Sequence, residues 1–125
     1  MSDDLSKLET LAQTYFDGFY QGDADKLATI FHPAAVLTQV VDGAPKITPC
    51  EAWFTALCNR PSPASSGAKR YDKVLAIDLC GPTLALLKVT CAVPPRHFID
   101  LLSCIKVESK WLIAQKVFMT ETREG

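Results

Sequence analysis

The chain has 125 residues, 48% of them apolar, with 13 basic and 14 acidic side chains and a net charge of -1. That length suits one domain, residues 1–125, around a single core. With no basic cluster longer than Lys69-Arg70 and no apolar run near the ~20 residues of a membrane span, nothing points to nucleic acid or to a membrane, and the expectation is a soluble, cytoplasmic protein.

From Leu5 the apolar positions Leu5, Leu8, Ala12, Tyr15, Phe16 and Phe19 recur at the helical period. They predict a first helix that ends at Gly22, with Ser6 to Glu9 forming a capping box near its start. Asp23 is placed to cap a second, shorter helix with Leu27, Ile30 and Phe31 inward, stopped at His32 by Pro33. Val36 to Val41 is β-rich, and Asp42-Gly43 is a type I′ turn signal that returns the chain through Ala44 to Ile47. Pro45 cannot donate to a ladder, which makes this hairpin peripheral. Thr48-Pro49-Cys50-Glu51 sets a capping hydroxyl, a proline at the first helical position and a capping-box glutamate ahead of Trp53, Phe54 and Leu57. This is a third helix. Asn59 to Ala68 reads as a loop, either a plain connector or a lid. Tyr71 to Leu79 and Thr83 to Val93 alternate as two antiparallel strands, with Ala85, Leu87, Val89, Cys91 and Val93 forming one wholly apolar face.

Two apolar runs then meet across Glu108-Ser109, between His97 and Thr120, as a second hairpin. If Val107 pairs with Lys110, strict alternation puts Phe98, Asp100, Leu102, Cys104, Trp111, Ile113, Gln115, Val117 and Met119 on one face. The other carries His97, Ile99, Leu101, Ser103, Ile105, Leu112, Ala114, Lys116 and Phe118, and a bulge is the one device that would exchange members between faces. Both faces are mostly apolar, so this hairpin belongs at the centre of its sheet. Asp100 is the exception, a carboxylate between Phe98 and Leu102 on the face expected to point inward.

Three helices interleaved with a small hairpin and followed by a four-stranded antiparallel run resemble the nuclear transport factor two-like, or cystatin-like, superfamily. The segments YFDGFYQGDADKLATIFHP, VVDGAPKIT and FIDLLSCIKVESKWLIAQKVF resemble the putative lumazine-binding family within it, related to SnoaL-like and ketosteroid isomerase-like proteins. The resemblance implies an α+β cone, in which a curved, mostly antiparallel sheet of about six strands wraps round a long N-terminal helix and two shorter helices. It also implies an apolar pocket inside the cone, a pteridine-like or flavin-like ligand by the family's name, and homodimers through the outer sheet face. The chain departs from its relatives in carrying Ala34 after His32-Pro33, and Glu108-Ser109 where a tight Asp-Gly turn is expected.

Sister families on this fold use an Asp or His acid-base group with hydroxyl donors in an apolar cone. Candidates for that role are Asp100, Tyr15 and His32. Asp100 has a structural alternative as a paired or backbone-bonded carboxylate, Tyr15 as a core aromatic, and His32 as a charge at a helix C-terminus. Phe19, Trp53, Phe98 and Gln115 are the side chains expected to touch a ligand. The five cysteines are scattered without a C-x-x-C pair and read as reduced, buried apolar side chains. With only His32 and His97 beside them, no metal and no cofactor is expected. Three functions stay open: a binding module for a small apolar or aromatic ligand, a cofactor-independent isomerase, dehydratase or cyclase working through Asp100, and a purely structural dimer.

Overall fold

The computed structural model describes residues 2–123 and opens on a 20-residue helix, α1 (Ser2–Gln21). Its buried stripe is Leu8, Leu11, Ala12, Tyr15, Phe16 and Phe19, the spacing that one helix face requires. The helix begins at Ser2, so Ser6 to Glu9 lies inside it and caps nothing; the Ser6 carbonyl instead accepts from Thr10 Oγ1. At the other end Gly22 takes φ +65°, and Gly22 N–H bonds the Phe19 carbonyl while Asp23 N–H reaches back to Gly18. That double bond pattern satisfies the orphan carbonyls of the last turn. Asp23 then caps α2 (Ala24–Ala28) by accepting from Lys26 N–H at 3.0 Å. The two helices can meet closely only because position 18 is glycine: a Cβ there would stand 2.8 Å from Leu27.

The second helix is shorter than its periodicity suggests. Phe31 and His32 belong instead to strand β1 (Phe31–Val41), because the Ile30 carbonyl accepts from Ile113 N–H and Phe31 pairs in parallel with Ile113. Strand β2 (Ala44–Pro49) returns antiparallel across a turn with Asp42 and Gly43 both at positive φ, and it forms the sheet edge that Pro45 tolerates. Helix α3 (Cys50–Cys58) follows, with Pro49 rather than Thr48 at its cap position and no side-chain capping bond. Thr48 remains in β2, paired with Leu37. The connector from Asn59 carries a 3-10 turn at Ala64–Ser66, buries Pro63, and is tied to α1 by Tyr20 Oη donating to the Ala68 carbonyl at 2.6 Å.

Strands β3 (Lys73–Leu79), β4 (Leu84–Val93), β5 (Arg96–Val107) and β6 (Lys110–Thr122) complete a six-stranded sheet in the order β2-β1-β6-β5-β4-β3. Every neighbouring pair is antiparallel except β1 and β6. The β5–β6 hairpin is central, and Val107 does pair with Lys110; Glu108 and Ser109 take φ +49° and +69° to make the two-residue turn. Its tip is pinned to α1, since Asp4 accepts from Lys106 Nζ at 2.9 Å and from Trp111 Nε1 at 3.0 Å. Among the described residues no helix is long and apolar enough to cross a membrane. The sheet curves round α1, as expected of an α+β cone, and its inner face holds Leu87, Val89, Leu102, Cys104 and Ile113 in the core.

Candidate functional site

Strict alternation fails at one residue. Cys104 pairs with Ile113, yet Ser103 pairs with Gln115, so Ala114 is an extra residue on β6. The pairing of β1 with β6 shifts register at the same level, between Phe31 and Val36. A bulge sharpens the local bend and twist, so the feature that helps curve the sheet also exchanges the faces of everything beyond it on β6. Lys116 and Phe118 turn inward; Gln115, Val117 and Met119 turn out. Asp100 therefore faces Phe118 across the ladder rather than Val117.

Lys116 is 3% exposed, and its ammonium is enclosed by rings. The nitrogen lies 4.3 Å from the ring centroid of Trp53, 4.8 Å from Phe118, 5.3 Å from Tyr15 and 5.7 Å from Phe19. Among the described residues it makes neither an ion pair nor a hydrogen bond, although an ammonium carries three donors. It lines a cavity of about 320 Å³ between the inner sheet face and α3. Phe19, Trp53, Phe98 and Phe118 supply aromatic wall, while Lys46, Arg60 and Arg96 add positive charge and no Asp or Glu contributes. Burial and the neighbouring Arg96 charge pull the Arg60 guanidinium below its ordinary pKa.

Asp100 is fully buried in a second polar cluster. Its Oδ2 accepts from Tyr15 Oη at 2.6 Å and from Cys91 Sγ at 3.4 Å, and its Oδ1 has no partner. Burial first, and then the Asp100 charge, push both the Tyr15 hydroxyl and the Cys91 thiol well above their usual pKa values; burial alone pushes the Cys104 thiol up to about 12. Tyr15 is consequently a fixed neutral donor, and neither thiol is a thiolate nucleophile. Asp100 and Tyr15 do not line the cavity.

Of the residues singled out from sequence, Phe19, Trp53 and Phe98 line the cavity, and Tyr15 joins Asp100 beneath it. Gln115 is a correction: the bulge places it on the exposed outer face, away from any inward ligand. His32 is another. It sits in β1 rather than at a helix end, its Nδ1 accepts from Ala34 N–H at 3.0 Å, and it is absent from the cavity wall. The cysteines divide, with Cys50, Cys91 and Cys104 buried but Cys58 and Cys80 exposed. Lys116, Phe118, Arg60 and Arg96 were not anticipated. For the first two the only signal was a lysine and a phenylalanine that a bulge would carry to the inner face.

The family described as putative lumazine-binding matches residues 3–119. Among solved structures, a nuclear transport factor two-like protein from Shewanella baltica is 22% identical with a TM-score of 0.85, over 98% of this chain and 97% of that one. Another from Methylobacillus flagellatus is also 22% identical, with a TM-score of 0.82 over 98% and 95% of the two chains. A ketosteroid isomerase-like protein from Erwinia carotovora atroseptica is 12% identical with a TM-score of 0.76, over 98% and 100%. No curated protein matches the sequence. At such identities the solved structures speak for the fold alone. Since the family match spans nearly all of the described residues, the chain belongs to the putative lumazine-binding family, built on the nuclear transport factor two-like, cystatin-like fold.

Proposed function

We propose that the chain is a small-molecule binding domain that holds an aromatic or heterocyclic compound in the cavity between the inner sheet face and α3. The observation that carries this reading is the cavity itself: about 320 Å³ of unfilled space walled by four aromatic rings, with a buried ammonium opening into it. A nearly buried lysine set among four rings at the wall of such a space is an arrangement that packing alone does not call for. Ligand sites are concave and join apolar wall to convergent polar groups, and this cavity sets its four rings beside Lys116, Arg60, Arg96 and Gln39. Thermal-shift screening with aromatic heterocycles, steroids and polyketide-like compounds tests it. The expected result is a dose-dependent rise in Tm for at least one class, as mass action requires, lost when Trp53→Ala removes the wall. If no class shifts the wild-type protein, or if the shift survives Trp53→Ala unchanged, the cavity is not the binding site.

A second reading, a cofactor-independent isomerase, dehydratase or cyclase, is favoured by one contact. The 2.6 Å bond from Tyr15 to Asp100, together with the unpartnered Oδ1, is an acid-base pair held ready in an apolar setting. Against it stands access, because Asp100 lies outside the cavity wall and proton transfer requires contact with the substrate or with one bridging water. If turnover of any cone-binding carbonyl compound is found, Asp100→Asn should abolish it. Turnover undiminished by that change would remove Asp100 from the mechanism.

A further inference from the structure

We propose that the cavity selects a planar apolar anion, a carboxylate or a group of similar charge on an aromatic frame, whose negative end docks on the Lys116 ammonium. This rests on the binding reading above and narrows it to a chemical class.

Lys116 lacks polar partners among the described residues. The residue is 3% exposed, and what its ammonium keeps of open space faces the cavity, so the charge has little of the hydration that an exposed lysine enjoys. The rings of Trp53, Phe118, Tyr15 and Phe19 compensate in part, because the negative faces of aromatic rings attract an ammonium. They accept no hydrogen bonds of ordinary strength, however, and the three N–H donors find no oxygen among the described residues. The one nearby buried carboxylate, Asp100, spends its Oδ2 on Tyr15 and Cys91 and forms no ion pair with Lys116. The free volume that remains beside Lys116 is the cavity, so acceptors for those donors come from water there or from the anionic end of a ligand that displaces it.

The rest of the wall agrees. Lys46, Arg60 and Arg96 stand around the same space, none of them in an ion pair with a carboxylate among the described residues. Arg60 and Arg96 line the same wall, and burial together with the Arg96 charge disfavours the charged Arg60, which an anion bound in the cavity relieves. The aromatic wall favours a flat apolar body, and four cations without an acid favour one negative end.

The test uses two probes of one shape, 2-naphthoate and the uncharged 2-naphthalenemethanol, titrated by calorimetry into the wild-type protein and into Lys116→Met. Methionine keeps the apolar stem and deletes the charge. The wild type is expected to bind the naphthoate at least about tenfold more tightly than the alcohol, and Lys116→Met to erase that preference while leaving alcohol affinity within about threefold. Equal affinity of the wild type for both probes, or a preference that persists in Lys116→Met, overturns the anion assignment while leaving the cavity a binding site. Binding of neither probe overturns both.

Discussion

Single side chains carry most of the chemistry. Tyr15 donates the short bond that satisfies one oxygen of a fully buried carboxylate. Tyr15→Phe leaves the ring and deletes that donor, so denaturant unfolding should show a loss of about 1–3 kcal/mol, the cost of orphaning a buried polar group. An unchanged midpoint would mean that Asp100 finds another partner. Asp4 offers a test in acid. Its bonds from Lys106 and Trp111 hold its carboxyl below the ordinary 3.8, so the folded state binds its proton less readily than the unfolded chain does. The stabilisation it provides is therefore full above that value and fades as the pH falls through the lowered one. Wild type should melt above Asp4→Asn at neutral pH and converge with it in acid; a gap that persists at the lowest pH would point to packing rather than charge. At this scale the sequence was partly legible. Asp100 stood out as a carboxylate among apolar neighbours, and Tyr15 as a companion from α1. Lys116 did not stand out, since period-two counting placed it outside.

Elements explain why that counting failed. Parity along β5 held from the turn back to Phe98, because no residue interrupts it, and the two-residue turn was readable from the polar dipeptide. On β6 it held only as far as Ile113. Ala114 has nothing in its chemistry that announces a bulge; the demand comes from sheet curvature and from the simultaneous register shift against β1, a strand more than seventy positions earlier. The same long-range pairing shortened α2, where local periodicity through Phe31 was overridden by a parallel partner. The turn makes its own prediction. Glu108 and Ser109 both occupy left-handed backbone, which strains residues bearing a Cβ. Replacing them with Asn-Gly should raise stability by about 1 kcal/mol with an unchanged denaturant slope. A loss of stability would mean that these side chains make contacts worth more than the strain.

For the whole molecule, the helices lie on the inner face of the sheet, and the outer face keeps a patch in which Ile99 pairs with Met119 and Leu101 with Val117. Ile99, Val117 and Met119 are 40%, 40% and 55% exposed. We propose that this patch joins two copies of the chain, with Phe118, inward because of the bulge, taking no part. Contiguous exposed apolar area is uncommon on monomers. Light scattering should give twice the 13.7 kDa chain mass for wild type and a single chain mass for Leu101→Lys; a monomeric wild type would contradict it. NMR of the Lys116 ε-methylene reads its enclosure by the rings directly. Ring currents from Trp53 and Phe118 should displace those protons strongly upfield of a solvated lysine, and 2-naphthoate should move them while the methyls of Ile99, Val117 and Met119 stay still. An ε-methylene at the position of a solvated lysine, with ligand-induced shifts gathered on the outer face, would contradict the account.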